Sequence, residues 1–254
     1  MGISDLLNGI SKAFSPKKRT SAVILAAGSG ERFSENTSTS EKKQFTEIGG
    51  IPVLLRTALA FENCSLIDEI IVVSSCEDIE RCRKILNRKI EKLTHIVKGG
   101  KTRQESAEAA LEAVNPKSEY IAVHDAARCL VTPEIIESVL YEAYRTGAAA
   151  AAEPATDTVK YANGGVIENT IDRDHVWLMK TPQVFLANMY RAGVYTARRD
   201  NISATDDCML VERLGFSVRL VDCGRENIKI TYPADKIIAE AILKNRKDNK
   251  RYSD

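Results

Sequence analysis

The chain has 254 residues, 44% hydrophobic and 28% charged. That is long enough to bury about 70% of its unfolded surface, which excludes a disordered, fibrous or disulfide-scaffold protein. Thirty-six Lys and Arg against 35 Asp and Glu leave a net charge of +1, so no overall field recruits nucleic acid or an acidic membrane, and an anionic ligand must be held locally. The six cysteines form no C-x-x-C pair and have no histidines nearby to complete a zinc site, so they read as reduced packing thiols.

In chain order, residues 1–20 read as a flexible N-terminal extension, with Leu6, Leu7, Ile10 and Phe14 on one face of a short helix. No stretch approaches the ~20 apolar residues of a membrane span. Stable membrane insertion is therefore not expected, and the cytoplasm is the expected compartment. Ala22–Ala27 is a continuous apolar run of buried-strand type, and Pro52–Glu62 has a helical period. The alternation continues with a strand Glu69–Ser74, a helix Glu77–Lys89, a short strand His95–Val97 and a helix Thr102–Val114. Next come a strand Tyr120–His124, a helix Pro133–Arg145 with proline in its first turn, and a strand Ala148–Ala152 after the stop at Gly147.

Residues 157–183 break this rhythm. Thr158–Tyr161, the turn Asn163-Gly164-Gly165 and Val166-Ile167 read as a hairpin, an arm inserted into the α/β core. Helices Ala187–Arg199 and Asp206–Leu214 follow, then strands Val218–Val221 and Ile228–Thr231, a helix Pro233–Leu243, and a C-terminal tail over 246–254. The expected fold is α/β: one three-layer αβα domain over 21–245, with a mostly parallel twisted sheet and an inserted β-arm.

The first strand runs into Ala26-Ala27-Gly28-Ser29-Gly30-Glu31-Arg32. This places small residues at the carboxyl edge of a parallel sheet, where open α/β folds bind ligands. Glycines there let backbone N–H groups approach a phosphate chain, although a plain strand-to-loop turn uses glycine in the same way. Phe33 occupies the third-glycine position of the dinucleotide fingerprint and no G-K-[ST] follows, so neither that motif nor the Walker loop is present. What remains is a glycine loop followed by cations: Arg32, then Lys42 and Lys43 before Gln44-Phe45. Gly99-Gly100, at the start of the helix that contains Ser106, reads either as a capped turn or as a second ligand loop.

Leu25-Ala-Ala-Gly-Ser-Gly-Glu-Arg32, Lys43-Gln-Phe45, His124-Asp-Ala-Ala-Arg128, Thr181-Pro-Gln183, Thr205-Asp206 and Asn227-Ile-Lys-Ile-Thr231, in this order, resemble the 2-C-methyl-D-erythritol 4-phosphate cytidylyltransferases. These enzymes of the non-mevalonate isoprenoid pathway join CTP and methylerythritol phosphate with loss of pyrophosphate. The resemblance spans roughly Ser21 to Leu243 and implies a Rossmann-like nucleotidyltransferase fold. The ribitol 5-phosphate cytidylyltransferases share the skeleton and are the main competitor.

The resemblance implies that Ala26, Ala27, Gly28, Ser29 and Gly30 receive the nucleotide and wrap its triphosphate. Arg32 and Lys43 then stabilise charge on the α-phosphate as pyrophosphate leaves, with Lys42 a solvated neighbour. Gly100 and Ser106 read the cytosine edge, though Lys101 stands where the family commonly has an acid. Asp125 lies by the ribose and the reacting phosphates, Arg128 helps hold the acceptor, Thr205 lies near the acceptor, and Thr181 is a substrate-binding residue. Lys229 bridges the two phosphates for in-line attack. Thr158 and Arg173, on the arm, reach the acceptor phosphate of a neighbouring subunit, which implies a homodimer through the β-arm. Mg²⁺ is the implied cofactor, held mainly by CTP phosphates with Asp125 as the candidate protein donor. His124 reads as a packed, hydrogen-bonded residue, because the attacking phosphate oxygen is already ionised and needs no base. The family usually has proline where Cys129 stands, a departure expected to alter the turn more than the chemistry. Two other readings are a dinucleotide oxidoreductase, which lacks its third glycine, and a catalytically silent CTP-binding relative, which would have lost the cations.

Overall fold

The computed structural model describes residues 18–28, 33 and 41–251, with side chains as far as 246. Its centre is a seven-stranded sheet. Six of its strands are parallel: β1 (Thr20–Leu25), β4 (Glu69–Ser74), β5 (Leu93–Lys98), β6 (Tyr120–Asp125) and, beyond an antiparallel intruder, β7 (Ala148–Pro154) and an edge strand. The intruder is β10 (Trp177–Leu186), antiparallel to both β6 and β7, and β11 (Arg219–Asp222) completes the order β11-β7-β10-β6-β1-β4-β5.

The apolar runs of these strands are buried on both faces. Ala22 and Ile24 of β1 point to one side with α1 (Val53–Glu62), α2 (Ile79–Leu86) and α4 (Pro133–Thr146). Val23 points to the other with α3 (Arg103–Leu111), α5 (Ala187–Arg199) and α6 (Asp207–Glu212). The expected three layers are therefore present, because period-2 side chains on a twisted sheet must bury both faces under helices. A third apolar cluster packs α7 (Pro233–Arg251) against Cys129, Leu130 and Ile230.

Four expectations need correction. The first strand starts at Thr20, within the stretch expected as an extension, and stops at Leu25. Polar Thr20 and Ser21 are tolerated in the strand because Thr20 Oγ1 donates to the Lys18 carbonyl and the Ser21 hydroxyl to Glu69. The arm is shorter than 157–183. The hairpin of β8 (Val159–Asn163) and β9 (Val166–Ile171) and the turn that follows lie outside the sheet, whereas Trp177 to Gln183 belong to β10. Residues 228–231 form no strand, and the final helix continues through 246–251 instead of fraying. Arg246 ties that extension down through Glu226 (2.7 Å) and the Leu130 carbonyl (2.9 Å). A small hairpin of β2 (Glu47–Ile48) and β3 (Ile51–Pro52) precedes α1. Among the described residues no helix is long and apolar enough to cross a membrane.

Candidate active site

Chain order reverses direction across β1: β4 and β5 lie to one side of it and β6 to the other. This switch point opens a crevice at the carboxyl edge. Two cavities of about 530 Å³ each occupy it. The first is walled by Ala26, Ala27 and Gly28 after β1, by Lys42 and Lys43, and by Gly100 and Ser106. The second is walled by Arg128, Thr181 and Thr205. Arg103, Asp125 and Lys229 line both.

Local chemistry shapes the first cavity. The Gln44 side-chain amide donates to the Ala26 carbonyl at 3.1 Å, which holds the Lys43 turn against the first loop. Thr102 caps α3 by accepting from the Glu105 amide, and the Glu105 carboxylate in turn accepts from the Lys101 amide at 2.6 Å. The two preceding glycines are steric requirements. A Cβ on Gly99 would stand 2.7 Å from both Ala27 Cβ and Ser106 Oγ, and one on Gly100 would stand 2.2 Å from Glu105 Cβ. The second loop thereby closes onto the first, with the buried Ser106 hydroxyl at their junction.

Lys42 departs from expectation. It is ion-paired to Asp78 at 2.5 Å and to Glu77 at 2.9 Å, not solvated. Partial burial opposes its charge, but these two carboxylates outweigh it and raise the ammonium's pKa.

Between the cavities stands Asp125, at the end of β6. Its carboxylate meets Lys229 at 2.8 Å and Arg103 at 3.2 Å, with Arg128 Nε at 3.8 Å. Burial alone would push this carboxyl up, but Arg103 and Lys229, with Arg128 behind them, hold it well below the usual carboxylate range. Lys229 reaches it without a strand. The Ile230 amide donates to the Ala127 carbonyl at 2.8 Å, Ile230 is buried, and the alternation turns Lys229 the other way, into the crevice.

The His124 ring resolves into one tautomer. Nε2 lies 3.2 Å from the Arg128 carbonyl, which only accepts, so Nε2 carries the proton and Nδ1 accepts from the Thr181 hydroxyl at 2.9 Å. Thr181 Oγ1 in turn accepts from the Asp125 amide at 3.1 Å. Complete burial pushes the imidazole down to about 3, so it is neutral and structural, as its sequence setting implied.

Of the expected site residues, Ala26, Ala27, Gly28, Lys43, Gly100, Ser106, Asp125 and Lys229 meet at the first cavity, and Arg128, Thr181 and Thr205 join Asp125 and Lys229 at the second. Ser29, Gly30 and Arg32 lie outside the described residues. Thr158 and Arg173 line neither cavity. They are exposed at the base of the arm, where Arg173 donates to the Thr156 carbonyl at 2.8 Å. Arg103 was not foreseen, because its partners Asp125 and Asp207 are distant in sequence. Among the described residues no three His, Cys, Asp or Glu converge as a metal cage. Asp125, ionised and at the crevice, fits a hard cation that keeps most of its ligands from phosphate and water.

A glycine loop and lysines at the switch point of a doubly wound sheet, beside a second cation-lined cavity, define a nucleotide-dependent transferase of the α/β class. The family model for 2-C-methyl-D-erythritol 4-phosphate cytidylyltransferase matches residues 20–245, and the chain belongs to this family. It is 41% identical over 231 residues to such an enzyme from Syntrophus aciditrophicus, covering 90% of this chain and 97% of that one. It is also 41% identical over 224 residues to the Symbiobacterium thermophilum enzyme, covering 88% and 92%. Among solved structures it resembles a 4-diphosphocytidyl-2C-methyl-D-erythritol synthase from Anaerococcus prevotii, with TM-score 0.79, 30% identity and coverage of 90% and 97%. The cytidylyltransferase of Thermus thermophilus gives TM-score 0.70, 30% identity and coverage of 87% and 98%.

Proposed function

We propose that the first cavity takes CTP and the second takes 2-C-methyl-D-erythritol 4-phosphate, which are joined to give 4-diphosphocytidyl-2-C-methyl-D-erythritol and pyrophosphate for isoprenoid synthesis. The observation that carries this reading is the shared wall. Lys229 stands where the α-phosphate in one cavity and the acceptor phosphate in the other would meet. An acceptor phosphate oxygen forms the new bond to the α-phosphorus as the bond to the β-phosphate breaks and pyrophosphate departs. No proton is moved, which agrees with a neutral, fully engaged His124. Lys43 and Arg32 offset the charge that grows on the phosphates, while the loop of Ala26 to Gly30 receives the triphosphate. Ser106 and the backbone around Gly100 read the base; Arg128 and Thr205 face the acceptor. Mg²⁺, with Asp125 as its protein donor, supplies charge neutralisation of the triphosphate when bound.

The reading includes a homodimer. The arm exposes Tyr161, Val166, Ile167 and Ile171, and an isolated two-stranded hairpin gains stability by covering such a face. Thr158 and Arg173, which line neither cavity of their own chain, then serve the partner's acceptor site. Its charged, water-soluble substrates fit a cytoplasmic location. The test is pyrophosphate release from CTP and Mg²⁺ with each acceptor. Methylerythritol phosphate is expected to give a kcat/KM at least ~10-fold above ribitol 5-phosphate. Equal rates, or the reverse preference, would overturn the assignment.

A further inference from the structure

We propose that Arg103 is a positioning residue for the transfer step: it keeps Asp125 compensated so that Lys229 can leave that carboxylate for the phosphates. The inference rests on the functional reading above. Three cations surround Asp125, and they are bound differently. Arg128 gives Nη1 to the Asn227 carbonyl (3.1 Å) and Nη2 to the Met179 carbonyl (3.3 Å), and stays 3.8 Å from the carboxylate. It is committed to the backbone. Lys229 touches Asp125 through a single ammonium on a half-buried stem, and among the described residues Nζ has no other partner. It is the cation that can depart without breaking anything else.

Arg103 is the one built to remain. Its Nε bonds Asp125 at 3.2 Å, and its Nη1 meets Asp207 at 2.5 Å. Asp207 is itself fully buried and fixed: the Tyr190 hydroxyl donates to Oδ1 at 2.6 Å, and the Asp207 amide donates to Gln183 Oε1 at 3.0 Å. Burial weakens the Arg103 charge, but Asp207 and Asp125 outweigh it and hold the guanidinium firmly protonated. A buried carboxylate that loses its close cations bears a large cost of desolvation. Without Arg103, a departing Lys229 would leave Asp125 only Arg128, kept 3.8 Å away by its backbone bonds, so Lys229 would stay paired there and the phosphates would lose it. The planar fork of arginine spans two carboxylates where a lysine serves one.

The experiment measures pyrophosphate release by wild type, R103Q, R103K, D125N and R103Q/D125N, each corrected for folded protein by calorimetry. R103Q is expected to lose ~30-fold or more in kcat while KM for CTP changes less than ~3-fold, the signature of an interaction needed in the transition state. R103K should recover part of that loss. D125N should cost less in the R103Q background than in wild type, because the charge that retains Lys229 is gone from both. An R103Q effect confined to KM, a kcat within ~3-fold of wild type, or multiplicative costs in the double variant would overturn the proposal. Should R103Q fail to fold, D207N loosens the same guanidinium while leaving it in place; a loss of ~5-fold in kcat supports the proposal and an unchanged kcat overturns it. A wild-type enzyme inactive with methylerythritol phosphate would instead sink the functional reading.

Discussion

The amide of Ile230 donates to the carbonyl of Ala127 at 2.8 Å, and this bond sets Lys229 within 2.8 Å of Asp125 although no strand passes there. A ladder would have fixed the lysine's height along a sheet. A single bond beside a buried isoleucine fixes its direction instead, without a ladder on either side.

Lys43 and Lys42 are neighbours with different expected roles. Lys43→Ala should lower kcat by ~10²-fold or more with far less change in CTP binding, because in the proposed reaction its charge acts on the leaving pyrophosphate. Arg32→Ala should behave alike. Lys42 is paired with Asp78 and Glu77 in the same cavity, so Lys42→Ala should mainly raise KM for CTP and change kcat by less than ~3-fold. Steady-state kinetics on the three variants decides it; a pure KM effect for Lys43 and Arg32 would show that they only hold the nucleotide.

Thr181 joins β10 to β6, accepting from the Asp125 amide and donating to His124 Nδ1. Thr181→Val keeps the shape and leaves a buried amide and a ring nitrogen without partners, for an expected loss of about 1–3 kcal/mol. Thr181→Ser retains the hydroxyl and should lose less than about 1 kcal/mol by methyl deletion. Urea unfolding of both gives the comparison, and equal losses would show that the hydroxyl contributes nothing.

The parallel strands and the two covered faces were readable from apolar runs and helical periods, because burial on both sides leaves little else in β1, β4 and β6; the order of the strands was not. Neither was strand β10. Lys180 and Pro182 interrupt its pattern, and they are tolerated because the β7 register shifts between Met179 and Gln183, where the ladder skips, while Lys180 is paired with Glu153. The glycine loop and Asp125 stood out as residues at strand ends, and Lys229 as the polar residue between Ile228 and Ile230. Arg103 and Lys42 did not, since a charged side chain near a helix start looks like a solvated face until Asp207 or Asp78 is folded against it.

His124 supplies a pH signature. Its folded value, about 3, lies below the ordinary imidazole value of 6.5, so between those limits the unfolded chain binds the extra proton. Unfolding free energy should therefore rise with pH across that window, by at most about 1.4 kcal/mol per unit from this residue. The contribution is complete above pH 6.5 and is lost as pH falls toward 3. Urea titrations at a series of pH values, with NMR of the ring, check it: a ring that takes a proton near pH 6.5 in the folded enzyme would refute it. The same neutrality predicts no imidazole limb in kcat.

Arg173 sits at the base of the arm, apart from both cavities of its own chain, whereas Lys229 lines both. In the dimer proposed here, each site combines Lys229 of one subunit with Arg173 of the other. Arg173→Ala and Lys229→Ala homodimers should then be nearly inactive. In a mixed dimer both lesions fall in one site and the other stays whole. Random reassortment makes half of the dimers mixed, each with one good site of two, so unfolding and refolding the two variants together should restore about a quarter of wild-type activity. Pyrophosphate release is compared with separately refolded controls, and differential tags confirm that mixed dimers formed. Mixed dimers without recovered activity would assign Arg173 to its own subunit's site or to none.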